Sequence, residues 1–400
     1  MIAYLEQFRF WLHDAIGGRF PFLEYCANQM LSLFTGPFTG INTRLHWVQL
    51  VEALLLAAIV YRMGRQVKPR DGWRGFTRYC FPGRIYRHRS ARVDYQLLCM
   101  NACFGFFFNV TWRVNAVLMT GVFTSGLIWM FGPPPRAQEW SPLSLAALTV
   151  LLIVVEDLTN YLYHVMLHKL PPLWAIHKVH HSAEVLTPLT GFRTHPLEYA
   201  FAGSIRAAAA SLVLAPIAYW FVSPLAPVEI LGASVVVVVF GAAGYQLTHS
   251  HVWLSFGPRI DRVLVSPAVH QVHHSQAPEH HDKNFGVLFS VWDWMFGTLF
   301  LVKGPENLVF GLHGETSQAH PNFLAAWLLP FWDMVPWRHQ IVAIAARLFG
   351  PWVGDLAVRA HLIPPSLAHP FLAPVPASSG LTGGAVAAPR LNGSPGPAGG

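Results

Sequence analysis

The chain has 400 residues, of which 53% are hydrophobic and only 12% are charged, and its formal net charge is +7. Average soluble domains carry about 25% charged residues, so the composition excludes an ordinary soluble enzyme and indicates a membrane-embedded protein. The four cysteines form no C-x2-C pair, which argues against a thiolate metal site and against a disulfide framework.

The first 140 residues predict membrane and interfacial helices around one basic segment. The N-terminal 20 residues lack a clean apolar stretch, so we expect an interfacial segment and no cleavable signal. Residues 46–61 predict an apolar helix, and ten Lys and Arg residues follow between Arg62 and Arg92. Retention on the inner side of a membrane explains this charge better than nucleic-acid binding, so no nucleic-acid partner is expected. Residues 97–132 predict either a helical hairpin or one long tilted span.

Three later apolar segments, residues 142–163, 199–222 and 227–248, are each close to the ~20 residues that a membrane crossing needs. If residues 199–222 and 227–248 form a hairpin, the polar stretches that follow residues 142–163 and residues 227–248 emerge on the same side of the membrane. These stretches, residues 164–198 and 249–303, contain most of the histidines. The basic segment favours the cytoplasmic side for them.

The predicted organisation has four parts. They are residues 1–140 with membrane helices and the basic loop, residues 141–303 as the histidine-bearing domain, residues 304–373 as an apolar membrane-associated segment, and residues 374–400 as a disordered tail. The fold class is therefore an all-α integral membrane protein with several transmembrane helices and a helical, histidine-rich metal site at the cytosolic face.

Histidine spacing is the strongest functional signal, since thirteen of the 21 histidines lie between His164 and His281. One H-x3-H pair and two copies of H-x2-H-H occur, and imidazole without thiolate suits iron, zinc, copper or nickel. Eight imidazoles are too many for one tetrahedral ion, so two metals are the simplest interpretation. With His249 as a ninth, the predicted ligands are His164, His168, His177, His180, His181, His249, His270, His273 and His274.

Other residues near these motifs are candidates for weaker or supporting roles. Asp157 and Tyr161 lie on the same helical stripe as His164, where a carboxylate could fix the tautomer of a ligand. Each remaining histidine on its own is more often structural than a ligand. The residues left open as additional ligands or support are His195, His251, Asp157, Tyr161, Asn284, Trp292 and Asp293.

These motifs resemble the membrane-bound fatty acid hydroxylase and sterol desaturase superfamily over roughly residues 145–303. The resemblance rests on the three histidine motifs, on Arg193-x-His195-Pro196-x-Glu198, on Asn284-Phe285-Gly286 and on Trp292-Asp293-x2-Phe296-Gly297-Thr298. Many relatives have Asn where this chain has His251, which leaves the role of His251 open.

The resemblance implies a non-haem di-iron site that uses O2 to hydroxylate a C–H bond of a membrane lipid, whether sterol-like, fatty acyl or other. Desaturation of the same class of lipid is the alternative. No flavin, haem or nicotinamide motif is present, so we expect a separate electron donor: a ferredoxin, a cytochrome b5-like protein or a reductase. The composition favours a bacterial inner membrane with several crossings. The sequence does not predict an oligomeric state.

Two rival functions belong to other classes. A metal-binding membrane transporter or sensor would need ionisable residues lining a path through the spans, and residues 199–248 contain only Arg206 and Glu229. A membrane zinc hydrolase would need a general-base Glu as in H-E-x-x-H, which none of the three histidine motifs contains.

Overall fold

The computed structural model describes residues 21–39, 45–64, 72–133, 141–220, 229–230, 233–313, 319–350, 352–360 and 362. The N-terminal segment expected to be interfacial and the tail expected to be disordered lie outside these residues. The chain divides into two compact units, residues 1–338 and 339–400.

Helices dominate the described residues. In the first unit they are α1 (Pro21–Thr39), α2 (Trp47–Met63), α3 (Gly72–Cys80), α4 (Gly83–Tyr86), α5 (Arg89–Phe131), α6 (Pro142–Lys169), α7 (Pro171–His181), α8 (Pro196–Trp220), α9 (Val235–Ala242), α10 (Pro267–His273), α11 (Val291–Phe296) and α12 (Phe323–Asp333). α13 (Arg338–Phe349) and α14 (Trp352–Arg359) follow, separated near Gly350, whose φ of 105° favours glycine.

The helical hairpin considered for residues 97–132 is wrong, because α5 is one helix of 43 residues. Residues 106–120 contain neither Gly nor Pro, so no residue interrupts the helix where the turn would lie. At 1.5 Å per residue α5 is roughly 65 Å long. It runs parallel to α8, because two contacts between these helices advance in the same direction along both. Asn115 Nδ2 donates to Ser204 Oγ, and further along both helices the hydroxyls of Thr120 and Ser211 lie within hydrogen-bond distance.

Within the described residues, two helices, Leu143–Lys169 and Pro196–Ile217, are long and apolar enough to cross a membrane. Only 11% and 22% of their most apolar windows are buried inside the protein, which distinguishes them from core helices of a soluble fold. The first extends six residues beyond the predicted segment and therefore carries the H-x3-H pair on its last turns. Pro171 and Pro172 then begin α7, because proline is favoured at the first helical positions.

The membrane-crossing helix predicted for residues 227–248 is wrong. Of the described residues there, only Val235–Ala242 is helical, after two paired strands of two residues each, β1 (Glu229–Ile230) and β2 (Ala233–Ser234). Gly244 ends α9 with a φ of 78°, and its α-carbon lies so close to Pro267 that a Cβ would be 3.1 Å from Cγ. β-branched valines also lower helix propensity. The chain nevertheless returns to the histidine-bearing segments, where a 3₁₀ turn, Tyr245–Leu247, precedes His249.

Candidate metal centre

The structure brings all nine predicted ligands together in two groups. Within each group, the potential ligand nitrogens, one from each histidine, all lie within 4.8 Å of one another. We call them the first group, which has five histidines, and the second group, which has four. The first group contains His164, His168, His177, His181 and His273, and the second contains His180, His249, His270 and His274.

The two H-x2-H-H motifs are divided between the groups in a reciprocal way. In α7 the first and last histidines of the motif belong to the first group, and His180 belongs to the second. In the motif that ends α10, His270 and the residue after the helix, His274, belong to the second group, and His273 belongs to the first. The second and third histidines of each motif both lie near the face of the first, but as adjacent residues they point about 100° apart around the helix. Each motif can therefore contribute to two neighbouring metals.

The proton positions of two imidazoles follow from their outer partners, since carbonyl and carboxylate oxygens accept hydrogen bonds. His164 Nδ1 donates to the Phe285 carbonyl at 2.8 Å, and His177 Nδ1 donates to Glu198 Oε1 at 3.1 Å. The Nε2 atom of each neutral ring therefore bears a lone pair. These two Nε2 atoms face each other at 3.2 Å, where two lone pairs repel. A cation between them would turn the repulsion into attraction.

His273 has the same arrangement, because its Nδ1 donates to the Lys283 carbonyl at 2.7 Å. Its buried Nε2 has no hydrogen-bond partner among the described residues. Burial lowers the pKa of five of these imidazoles well below the ordinary value, and the neighbouring imidazoles lower it further. The five are His177, His181, His270, His273 and His274. These rings are therefore neutral near pH 7, the form that binds a metal.

The spacing of the nitrogen atoms fits metal ligands. Two imidazole nitrogens about 2.0–2.1 Å from one ion, at octahedral or tetrahedral angles, lie roughly 2.8–3.4 Å apart. Neighbouring Nε2 atoms are separated by 3.1–3.2 Å in the first group and by 3.1–3.3 Å in the second. The donors, neutral imidazoles without thiolate, suit iron, zinc, copper or nickel.

Asn284 and Asp293 shape the loop that supplies the backbone carbonyls to the first group. Asp293 accepts hydrogen bonds from the amides of Phe285 and Gly286, both at 2.8 Å. Asn284, at a φ of 58°, donates to the Val269 and Phe300 carbonyls. A Cβ on Gly286 would lie 2.7 Å from a backbone oxygen, so this turn requires glycine. These residues therefore position the first group without touching it.

Among the described residues, the hydrogen bonds of Asp157 go to a loop and a tryptophan and not to a histidine. It accepts from the amides of Leu288 and Phe289 and from Trp292 Nε1, at 2.9–3.0 Å. The Tyr161 hydroxyl lies 3.0 Å from Thr298 Oγ1. These contacts tie α6 to α11 and to the loops on either side of it, so they are structural contacts behind the first group.

His195 and His251 lie outside both groups. His195 Nε2 donates to the Trp327 carbonyl at 3.1 Å, while its Nδ1 accepts from the amide of Leu197. His251 Nε2 lies 2.6 Å from the Tyr79 carbonyl and its ring packs edge-on to Tyr79. Both histidines therefore join segments of the fold.

Two supporting side chains were not assigned a role from the sequence. Glu198 orients His177, and Arg193 holds α7 in place. The fully buried Arg193 donates to the Val179 carbonyl, to Ser182 and to Asp94 of α5, with a closest ion-pair distance of 3.0 Å. Both occur in the Arg-x-His-Pro-x-Glu motif. The feature of the sequence that could have identified them is a pair of charged residues in a short stretch between apolar segments.

The nine histidines form a layer between two cavities. The span-side cavity, of about 160 Å³, is bounded by α6, by α8 and by the histidines 164, 177, 180, 249 and 270. The polar cavity, of about 370 Å³, is bounded by the other four and by charged or polar residues that include Lys178, His281, Asp282 and His313. None of the nine lines both cavities.

Known proteins match the part of the chain that carries this centre. The family model for fatty acid hydroxylase matches residues 149–298. The alkylglycerol monooxygenase of Danio rerio is 30% identical over 157 residues, which are 39% of this chain and 31% of that protein. The ornithine lipid hydroxylase OlsE of Rhizobium tropici is 27% identical over 187 residues, 47% of this chain and 51% of that protein.

The alkylglycerol monooxygenase of Homo sapiens is 28% identical over 156 residues, 39% of this chain and 31% of that protein. The chain thus spans between about a third and half of the length of these curated relatives. No solved structure matches the chain. The matched region contains all nine grouped histidines and the loop behind them, so the superfamily resemblance is confirmed for this part of the chain: residues 149–298 match the fatty acid hydroxylase domain.

Proposed function

We propose that the nine histidines hold two iron ions and that the protein uses O2 to hydroxylate a C–H bond of a membrane lipid. The observation that carries this proposal is the convergence of unprotonated Nε2 atoms, which His164 and His177 show most clearly. Imidazole ligands resist oxidation better than thiolates, which suits oxygen chemistry. The relatives' names, a monooxygenase and a hydroxylase, favour this reaction.

The bound iron ions would supply the redox chemistry, in which O2, two electrons and two protons convert a C–H group to C–OH with release of water. The residues of the chain bind and orient the reactants. Glu198, Phe285 and Lys283 fix three of the five rings of the first group by accepting hydrogen bonds from the Nδ1 atoms of those rings. The histidine layer separates the span-side cavity, where an amphiphile can enter from the bilayer, from the polar cavity.

The basic segment supports a cytoplasmic position for the histidine layer. Arg89 donates to Glu184, three residues after His181, with a closest distance of 3.0 Å. Tyr79 of α3, within the same segment, contacts His251. Positively charged segments are retained on the cytoplasmic side of membranes. We therefore place the polar cavity on that side, where a soluble ferredoxin, a cytochrome b5-like protein or a reductase could deliver electrons.

Metal analysis and product analysis test the proposal. Iron-replete protein in detergent should contain about two irons per chain, which Mössbauer spectroscopy should show as two nearby ions. Total lipid extract incubated with this protein, O2 and a reductant should gain a hydroxyl oxygen from ¹⁸O2. A variant with His177 and His270 both replaced by alanine, one from each group, should lose iron and activity.

His251→Ala is the matched control, because this histidine lies near the centre but in neither group. It should retain about two irons. One tightly bound zinc and no iron, under iron-replete expression, would contradict the proposal and favour a hydrolase. A product that is two hydrogens lighter without added oxygen would replace hydroxylation with desaturation at the same centre.

A further inference from the structure

The segment after α2 presents exposed arginines that the fold does not neutralise. From the start of α3 to the first turn of α5, the chain contains six arginines and no aspartate or glutamate. Arg89 donates to Glu184, with a closest distance of 3.0 Å. Arg74, Arg84 and Arg87 are also exposed, but within the described residues none of them forms an ion pair with a carboxylate. We call these three residues the arginine face.

The packing of α3 on α2 directs its arginine outward. Phe76 and Tyr79 contact the ring of Tyr61 in α2, with ring-centroid distances of 5.7 and 5.2 Å. Arg74 lies on the opposite side of the helix, because residues two apart point about 200° from each other. The apolar side of α3 therefore covers the protein, and its basic side is left for a partner outside the fold.

Two exposed aromatic side chains border the arginine face. Trp73, at the start of α3, is 74% exposed, and Phe81, just after its end, is 60% exposed. Aromatic rings beside cations are typical of the zone where the hydrocarbon of a membrane meets the headgroups. A partner that fits this surface has both an anionic part and an apolar part.

An apolar stripe on α2 leads to the same place. Leu55, Ile59 and Met63 are each about half exposed, and at four-residue spacing they share one side of the helix. The stripe ends with α2 itself, two residues after Tyr61, where α3 packs. Acyl chains cover an exposed stripe of this kind in a membrane protein. The lipid headgroups then lie just beyond the end of the stripe, level with α3.

We propose that the arginine face, bordered by Trp73 and Phe81, binds the headgroups of anionic phospholipids. A guanidinium pairs with a phosphate through parallel N–H donors, and each arginine near a membrane surface adds to the attraction for anionic lipid. A zwitterionic lipid gains less, because its own cation balances its phosphate. This binding requires no metal and is independent of the oxidation proposed above.

The experiment measures which lipid the full chain retains in detergent. Immobilised protein is equilibrated with micelles that contain equal amounts of dioleoyl phosphatidylglycerol and dioleoyl phosphatidylcholine, and the retained lipids are quantified by mass spectrometry. Wild-type protein should retain at least about tenfold more phosphatidylglycerol than phosphatidylcholine. In a triple variant with Arg74→Gln, Arg84→Gln and Arg87→Gln this ratio should fall to about one.

A second triple variant, with Arg259→Gln, Arg262→Gln and Arg347→Gln, is the matched control. It has the same change in net charge, and its three arginines are exposed but lie outside the basic segment. It should keep the wild-type ratio. An equal fall in both triple variants would mean that net charge alone attracts the lipid, and would overturn the proposal. A wild-type ratio near one would overturn it as well.

Salt and a soluble competitor sharpen the result. At about 1 M salt, where charges are strongly screened, the wild-type ratio should fall toward one; this decides the matter if the variant of the arginine face does not fold, and a ratio that salt leaves unchanged would overturn the proposal. Glycerophosphoglycerol, the headgroup without acyl chains, should not displace the lipid at equal concentration. If it does, the face binds a free phosphate ester instead of a lipid. An unchanged lipid ratio in the variant, with weaker binding of an acidic plant-type ferredoxin, would assign the face to a protein partner.

Discussion

The first and second histidine groups share a repeated motif but differ in what holds their imidazoles from behind. In the first group, Nδ1 atoms donate to two backbone carbonyls and one carboxylate. In the second, His249 Nδ1 lies 3.1 Å from Thr248 Oγ1, and the buried Nδ1 of His274 has no partner among the described residues. Outer partners fix ring orientation and raise metal affinity. The first group is therefore preorganised, while the second depends more on the ion to order its rings.

The largest expected effect comes from removing one histidine of the second group. His270→Ala leaves that group with three imidazoles and few outer contacts, so we expect one of the two irons to be lost and turnover to fall at least about 100-fold. Loss of an outer partner alone typically costs 10–100-fold. His273→Ala leaves four imidazoles in the first group, of which His164 and His177 keep their outer partners, and should retain more iron. Iron analysis of both purified variants tests this, and equal retention would contradict the difference between the groups.

The nine grouped histidines could be predicted from the sequence because their spacing is local. A helix places residues four apart on one face, so H-x3-H and H-x2-H-H contain their own geometry. The helical segments at residues 46–61, 142–163 and 199–222 followed from apolar composition. The outer partners could not be predicted in the same way, since Phe285 and Lys283 act through backbone carbonyls that any residue has. Asp157 illustrates the reverse case: its helical stripe was right, but a distant loop determined its partners.

Arg193 gives the largest expected effect on stability. Its buried guanidinium joins α7, which contributes to both groups, to Asp94 of α5. Arg193→Met leaves the Asp94 carboxylate buried and without its cation, which costs about 3–5 kcal/mol. The midpoint of thermal unfolding in detergent should therefore fall strongly, with iron lost from both groups. Arg89→Met removes an exposed ion pair and should cost at most about 1 kcal/mol; similar shifts in the two variants would refute the role of Arg193.

Asp293→Asn should weaken the first group alone. The substitution places an amide NH2 against one of the two backbone N–H groups that now donate to Asp293, which displaces the Phe285 carbonyl from His164. We expect iron in the first group to bind about 10–100-fold more weakly, measured by timed chelation followed by Mössbauer spectroscopy. Asp261→Asn is the control, because Asp261 is equally buried and also accepts from a backbone amide, but in a loop without grouped histidines.

Gln271→Leu is the corresponding and smaller test of the second group. Gln271 Nε2 donates to the Leu247 and Val252 carbonyls, at 3.2 and 2.9 Å, and so joins α10 to the segment that carries His249. Leucine has a similar volume but leaves those buried carbonyls short of a donor, at a cost of about 1–3 kcal/mol in unfolding free energy. Because α10 and His249 would then be less firmly joined, second-group iron should be released faster by a chelator. The first-group iron in the same sample is the internal reference. Equal acceleration for both irons would mean that the two groups are held as one unit, and that the difference between their outer contacts does not govern metal retention.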